Sequence, residues 1–68
     1  MQRYFAKELI NNQFILNNDD YHHIKTVMRM KNNDKIEVVY NNQLYLCEID
    51  NVDTDIVINI INELEHNN

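Results

Sequence analysis

The sequence of 68 residues contains no glycine, no proline, no serine, no tryptophan and only one cysteine. Without serine there is no serine nucleophile, and without glycine there is no Gly-rich phosphate loop of the P-loop or dinucleotide-binding type. One cysteine excludes an internal disulfide and an all-cysteine zinc site. No apolar run reaches the ~18 residues that a membrane span needs, and no signal-peptide pattern opens the chain. We therefore expect a cytoplasmic protein without a membrane partner.

The charged residues are unevenly distributed along the chain. Six basic and four acidic residues lie within positions 1–35, whereas positions 36–68 hold seven acidic residues and no lysine or arginine, for a net charge of −5. The electrostatic field of a protein depends on where its charges lie and not on their sum. The first half can therefore face nucleic acid while the acidic half faces away from it. The alternative is an ordinary soluble surface with uneven charge.

Asparagine takes the place of the missing glycine as the marker of turns. Thirteen asparagines include five adjacent pairs, at positions 11–12, 17–18, 32–33, 41–42 and 67–68. Asparagine tolerates the left-handed backbone conformation better than other residues with a side chain. The internal pairs therefore predict turns, and the last pair lies in a polar tail.

Apolar patterning predicts a mainly β domain with one helix. Short strands are predicted at 3–6, 13–16, 36–40, 44–49 and 56–61. If Asn41-Asn42 forms a two-residue hairpin turn, one face of the hairpin carries Ile36, Val38, Tyr45, Cys47 and Ile49. The other face carries Val39, Leu44 and Leu46. So many short strands in a small chain favour a compact barrel or curled sheet.

The helix is predicted to begin at Asp19 or Asp20, either of which can cap it. Tyr21, Ile24, Val27 and Met28 then form one apolar stripe. Lys25 and Arg29 lie off that stripe as i, i+4 neighbours.

The sequence offers no pattern typical of a catalytic or metal site. His22 and His23 point about 100° apart on a helix and so are poorly placed to share one metal ion, and no spacing links them to His66. Cys47 is predicted to be a buried, inert thiol in the middle of a strand. The remaining carboxylates lie in a polar turn, where solvated side chains are expected: Asp50, Asp53 and Asp55.

Two segments resemble the N-terminus of the bacterial ribosomal RNA small subunit methyltransferase E family. They are MQRYF at residues 1–5 and HHIKTVMRMK at residues 22–31, which DKIEV at residues 34–38 follows. The family pattern is M-x-R-[YF]-F, then H-x-x-[KR]-V-[LM]-R-x-x-x-G-D-x-[IL]-x-[VL] and a later aromatic residue. His23 and Tyr45 match its histidine and its later aromatic. Thr26 stands where lysine or arginine is frequent, and Asn33 stands at the glycine, whose left-handed conformation asparagine can adopt.

The resemblance implies a PUA-like β-barrel of about five to six strands within residues 1–62. Residues 63–68 would begin a linker to a C-terminal SPOUT-type methyltransferase domain that is not in this sequence. Members of the family methylate N3 of a uridine in 16S ribosomal RNA with S-adenosylmethionine. The resemblance thus implies a homodimeric parent enzyme active in ribosome biogenesis. The chain alone would have no enzymatic activity and no cofactor.

The implied function of the chain is to bind small-subunit ribosomal RNA and to position it for the catalytic domain. The candidate RNA-binding residues are Arg3, His23, Lys25, Arg29 and Lys31. His23 could instead be structural, and Arg29 could bridge to the barrel or to the catalytic domain. Two alternatives are a module that packs against the catalytic domain or dimer mate through Val39, Leu44 and Leu46, and an unrelated small β-barrel interaction domain.

Overall fold

The computed structural model describes residues 1–64 and has six strands and one helical segment. The strands are β1 (Arg3–Phe5), β2 (Glu8–Ile10), β3 (Gln13–Ile15), β4 (Lys35–Tyr40), β5 (Gln43–Asp50) and β6 (Val57–Leu64). The helical segment consists of α1 (Asn18–His22) and a π-helical turn (His23–Val27). The prediction of a mainly β domain with one helix is confirmed.

All six strands form one curled sheet in the order β1-β4-β5-β6-β3-β2. Only β1 pairs in parallel, with β4, and the other pairs are antiparallel. The two end strands, β1 and β2, are consecutive in the chain. Between them the Ala6 N–H donates to the Val39 carbonyl (3.0 Å) and the Lys7 N–H donates to the Ile15 carbonyl (2.7 Å). This short connection ties both ends of the sheet together, which gives the small barrel-like shape that the sequence predicted.

The hairpin of β4 and β5 has the predicted turn and the predicted register. Asn41 and Asn42 have φ values of 50° and 62°, as a type I′ turn requires at both central positions. Val38 lies opposite Tyr45, and Ile36 lies opposite Cys47. Ile36, Val38 and Cys47 are fully buried, so this face of the hairpin forms the floor of the core.

The core is a single cluster of ten buried side chains drawn from most elements of the fold. Phe14 of β3 packs against Tyr45 and Tyr40, with ring centroids 5.0 and 5.6 Å apart. Ile24 enters the cluster from the helical segment and is completely buried. The full cluster consists of Tyr4, Phe14, Leu16, Ile24, Ile36, Val38, Cys47, Ile49, Val52 and Ile58.

Asparagine supplies nearly all of the left-handed backbone positions among the described residues. Six of the seven residues with positive φ are asparagines: Asn11, Asn12, Asn33, Asn41, Asn42 and Asn51. At Asn33 (φ 76°) the N–H donates to the Ile49 carbonyl at 2.8 Å. This is the position where the family pattern has glycine, and asparagine adopts the required conformation. The pair Asn17-Asn18 differs, because it begins the helix and Asn17 has φ −74°.

One strand in the first third of the chain has no counterpart in the sequence-based prediction, and the predicted helix cap is wrong. The sequence predicts the turn at Asn11-Asn12, but it does not predict strand β2, which this turn joins to β3. The helix is not capped by Asp19 or Asp20, since its N-cap is Asn17 and both aspartates lie in the first turn. There their negative charges interact favourably with the positive end of the helix dipole.

The predicted apolar stripe of the helix is also wrong in its second half. Val27 is 59% exposed and Met28 is 37% exposed. The Met28 N–H donates to the His23 carbonyl, five residues back, at 2.8 Å. A turn closed by such a bond holds more residues than an α-helical turn. Residues after Ile24 therefore rotate away from the side that a 3.6-residue period predicts.

Strand β6 continues to Leu64, two residues beyond the predicted domain end at residue 62. Residues 65–68, including His66 and the pair Asn67-Asn68, lie outside the described residues. Residues 63–64 of the predicted linker belong to β6, and a linker over residues 65–68 stays a prediction.

Candidate nucleic-acid interface

A strained residue, Arg29, follows the end of the helical segment. Its φ of 51° lies in the left-handed region, where a side chain costs about 1–2 kcal/mol. Helices commonly end in this way, but with glycine or asparagine. The Met30 N–H donates to the Ile24 carbonyl across the helix end at 3.0 Å, which closes the turn. Arg29 is therefore outside the helix, and its predicted i, i+4 pairing with Lys25 on one helix face is wrong.

Three of the candidate residues, Lys25, Arg29 and Lys31, form an exposed basic segment around this turn. Within residues 1–64 ion pairs join Arg3 to Glu37 and Lys35 to Glu48, and neither pair involves the basic segment. Exposed cations without a carboxylate partner keep their full charge available for phosphate groups.

Arg3 is placed differently from the basic segment. Its guanidinium Nη2 lies 3.1 Å from Glu37 Oε1, because β1 pairs with β4 and sets Arg3 opposite Glu37. Neighbouring residues of a strand point to opposite faces, so Arg3 lies on the outer face while Tyr4 points into the core. The structure therefore separates Arg3 from the side of β1 that contacts the helix.

His23 joins the helical segment to β1. The Tyr4 hydroxyl and His23 Nδ1 are 2.8 Å apart and share a hydrogen bond, and the two rings meet edge to face at 5.8 Å. Burial and, secondarily, the charge of Asp20 raise the pKa of the Tyr4 hydroxyl, so Tyr4 remains protonated near neutral pH. These contacts support a structural role for His23, and its contact with RNA stays a prediction.

A cleft lies between the helical segment and residues 51–56, which we call the acidic loop. This first cleft has a volume of about 210 Å³, and its walls include Lys25 and Thr26 on the helix side and Thr54 and Asp55 on the loop side. A second cleft of about 380 Å³ adjoins it and includes Lys31 and Asp53. Val52 lines both clefts. It is only 5% exposed, and its N–H donates to Asn32 Oδ1 at 3.0 Å.

The two clefts bring part of the acidic half of the chain next to the basic segment. Asp55 shares the first cleft with Lys25, and Asp53 shares the second cleft with Lys31. The sequence suggested no such juxtaposition, because the two cleft walls are more than twenty residues apart in the chain. The acidic loop therefore belongs to the same surface as the basic segment.

Among the described residues the potential metal ligands are dispersed and the one thiol is buried. No group of three or more histidine, cysteine, aspartate or glutamate side chains within residues 1–64 is arranged to hold a metal ion. Cys47 is fully buried, and burial raises the pKa of its thiol. A thiol of this kind is not a nucleophile at neutral pH. In the part of the chain that the structure describes, no helix is long and apolar enough to cross a membrane.

The outer face of the sheet carries a second feature, a row of four apolar side chains. Phe5 lies beside Val39, Val39 opposite Leu44, and Leu44 opposite Leu64. Phe5 is 66% exposed, whereas the other three residues are half-buried. We call these four residues the outer row. Leu46, which the sequence grouped with Val39 and Leu44, is half-buried in the adjacent position opposite Glu37.

A small curled β-barrel with an exposed basic segment beside a cleft is a class of domain suited to nucleic acid. Residues 16–61 match the family model of the RNA methyltransferase PUA domain. The chain belongs to this family, as the resemblance of its motifs predicted. A solved structure described as a hypothetical protein is 29% identical over 98% of this chain, with a TM-score of 0.81. The chain spans 30% of the length of that structure, and none of the curated proteins matches it.

Proposed function

We propose that the chain binds small-subunit ribosomal RNA as the PUA domain of a 16S rRNA uridine-N3 methyltransferase. The observation that carries the proposal is the basic segment, whose three cations are exposed and have no ion-pair partner within residues 1–64. The family match supports a methyltransferase parent. The motif resemblance at residues 1–5 and 22–38 supports the choice of substrate.

In this proposal the chain contributes binding and orientation and no chemical step. Lys25, Arg29 and Lys31 hold phosphates, which fixes the position of the RNA without reading its sequence. Methyl transfer and S-adenosylmethionine belong to a SPOUT-type domain of a homodimeric parent, beyond a linker that begins after Leu64. A reading frame that continues past residue 68 into such a domain would support this division, and one that stops there would contradict it.

Replacing Lys25 by alanine should weaken RNA binding and reduce its dependence on salt. Each phosphate contact to a single strand contributes ~0.7 to the slope of log K against log salt. We expect Lys25→Ala to lower that slope by about this amount, measured by fluorescence anisotropy with a labelled oligouridine over a range of salt concentrations.

Lys35→Ala is the matched control for this measurement. Lys35 is also exposed, but its Nζ lies 3.0 Å from Glu48 Oε2 and donates to the Asn33 carbonyl. Its removal should leave the slope unchanged. If both variants give the wild-type affinity and slope, the basic segment does not bind phosphates and the proposal loses its main support.

A second role, packing against the rest of the parent protein, is favoured by the outer row. Phe5 is 66% exposed at one end of a continuous apolar line across four strands. Exposed apolar groups that form a contiguous patch usually mark an interface. The chain spans only 30% of the similar solved structure, so a covering segment elsewhere in a longer parent is our proposed occupant.

Phe5→Ser should destabilise the parent protein much more than the 68-residue chain. In the 68-residue chain the side chain is mostly solvated, so we expect a change in unfolding free energy within about 0.5 kcal/mol. In the parent we expect the unfolding free energy to fall by about 2 kcal/mol or more, because the substitution removes an apolar contact at a buried interface. Urea unfolding measures both values. Ile61→Ser, at a 47% exposed site outside the outer row, is the control. Equal effects of the two substitutions in the parent would exclude this interface.

A further inference from the structure

We propose that the first cleft binds one unpaired guanine base of the bound RNA. The inference rests on the proposed RNA-binding function and adds a base-specific contact to it. Proteins read single-stranded RNA by placing unstacked bases against side chains and by hydrogen bonding to their exposed edges. The first cleft supplies both an apolar surface and polar groups of the required kind.

The size and floor of the cleft suit a single base. Pockets for drug-sized ligands measure ~300–1,000 Å³, so a cleft of about 210 Å³ has room only for a smaller group. Tyr21, Val52 and Ile56 contribute aromatic and aliphatic surface to it. The Leu16 N–H donates to the Tyr21 hydroxyl at 2.9 Å, which holds that ring in place. Ordered apolar walls reduce the entropy lost when a base is bound.

The loop wall of the cleft presents hydrogen-bond acceptors. Asp55 contributes an exposed carboxylate, which only accepts hydrogen bonds when ionised. The Thr54 hydroxyl donates its proton to the Asn51 carbonyl at 3.4 Å, so its lone pairs are left to accept. A base that fits this wall must offer N–H donors.

Guanine is the base whose pairing edge matches this arrangement. Its ring N1–H and exocyclic amino group are two adjacent donors, which a single carboxylate such as that of Asp55 can accept together. Cytosine and adenine offer one amino group on that edge. Uracil offers one N–H between two carbonyl oxygens, which would face the acceptors of Thr54 and Asp55.

The preference can be measured with oligouridines that carry guanine, cytosine, adenine, uracil or an abasic residue at one central position. A good bidentate contact to a base corresponds to about fivefold discrimination or more. We expect the guanine oligomer to bind at least about fivefold more tightly than the uracil and abasic oligomers. Addition of the guanine oligomer should shift the NMR amide signals of Thr54 and Asp55 on the loop wall, and the abasic oligomer should not shift them.

Asp55→Asn should abolish the guanine preference while leaving binding of the abasic oligomer intact or slightly tighter, since a negative charge is removed. Asp53→Asn is the matched control, because it removes the same charge from the same loop at a residue that lines the second cleft. This variant should keep the preference for guanine. Equal affinities for all five oligomers, or equal loss of preference in both variants, would overturn the guanine site and leave the RNA-binding function standing. Failure of every oligomer to bind would overturn both.

Discussion

Ile24→Ala should destabilise the chain by about 2–5 kcal/mol, the usual cost of truncating a fully buried isoleucine. Ile24 is 0% exposed and is the buried residue of the helical segment. Proteins are stabilised by roughly 0.05–0.15 kcal/mol per residue, which for 68 residues is about 3–10 kcal/mol. One methyl-rich side chain therefore accounts for a large fraction of the total stability.

Urea unfolding followed by far-UV circular dichroism measures this loss, and Val27→Ala is its control. Val27 lies in the same π-helical turn but is 59% exposed, so its truncation should change the unfolding free energy by no more than about 0.5 kcal/mol. A loss for Ile24→Ala no larger than that for Val27→Ala would show that the helix is not anchored through Ile24.

Ile24→Ala should also affect RNA binding, because Ile24 precedes Lys25 in the helical segment. The helical segment forms one wall of the first cleft and leads into the basic segment. If the helix detaches from the barrel, the cleft loses that wall, whereas the cations remain on a flexible chain. Under conditions where Ile24→Ala is still folded, we therefore expect the guanine preference to fall more than the phosphate-dependent affinity.

The parts of this fold that could be predicted are those specified by neighbouring residues. The β4–β5 hairpin is one, because an alternating pattern on each side of Asn41-Asn42 sets both the turn type and the register. Left-handed turns at asparagine are another, since the chain has no glycine to occupy them. At Asn33 the family motif and the backbone geometry lead to the same conclusion.

The parts that could not be predicted depend on contacts between distant residues or on one unusual hydrogen bond. All side chains of β2 are exposed, so that strand has no periodic pattern of burial and is set by its turn and by pairing with β3. The π-helical turn differs from an α-helix by the bond from Met28 to His23, which the apolar spacing does not reveal. The parallel pairing of β1 with β4 places Arg3 beside Glu37, and residue patterns near Arg3 contain no sign of it.

The candidate site also has a part that the sequence predicts and a part that it does not. Of the three cations of the basic segment, the family motif specifies only Arg29, and Lys25 and Lys31 are indicated by their charge alone. The structure leaves all three exposed. The first cleft was missed because Asp55 reaches it through the packing of the acidic loop on the core at Val52. An aspartate in a polar turn is usually just solvated, so the only possible signal in the sequence was a turn rich in hydrogen-bond acceptors between two strands.

Raising the pH from about 9 to about 12 should strongly destabilise the fold through Cys47. Burial raises the pKa of this thiol from its ordinary value of 9.0 to about 12. Between these two values the thiol ionises in the unfolded chain but stays protonated in the folded one. The unfolded state then binds fewer protons, so the stability falls as the pH rises. A proton difference of one corresponds to ~1.4 kcal/mol per pH unit, or about 4 kcal/mol over the whole window.

The Tyr4 hydroxyl acts in the same direction, because its pKa is also raised in the folded chain. Its effect begins only above the ordinary tyrosine value of 10.0, so the loss of stability should start with Cys47 and steepen when Tyr4 contributes.

Cys47→Ala isolates the contribution of the thiol. The variant should be less stable than the wild type at pH 7 by about 1 kcal/mol, since it leaves a small cavity, but its stability should change little between pH 9 and 10. Urea unfolding at several pH values gives both curves, and their difference removes the contribution of Tyr4. Parallel curves would mean that the thiol ionises equally in both states. Iodoacetamide provides an independent check, because at pH 8 it should modify Cys47 in urea and not in the folded chain.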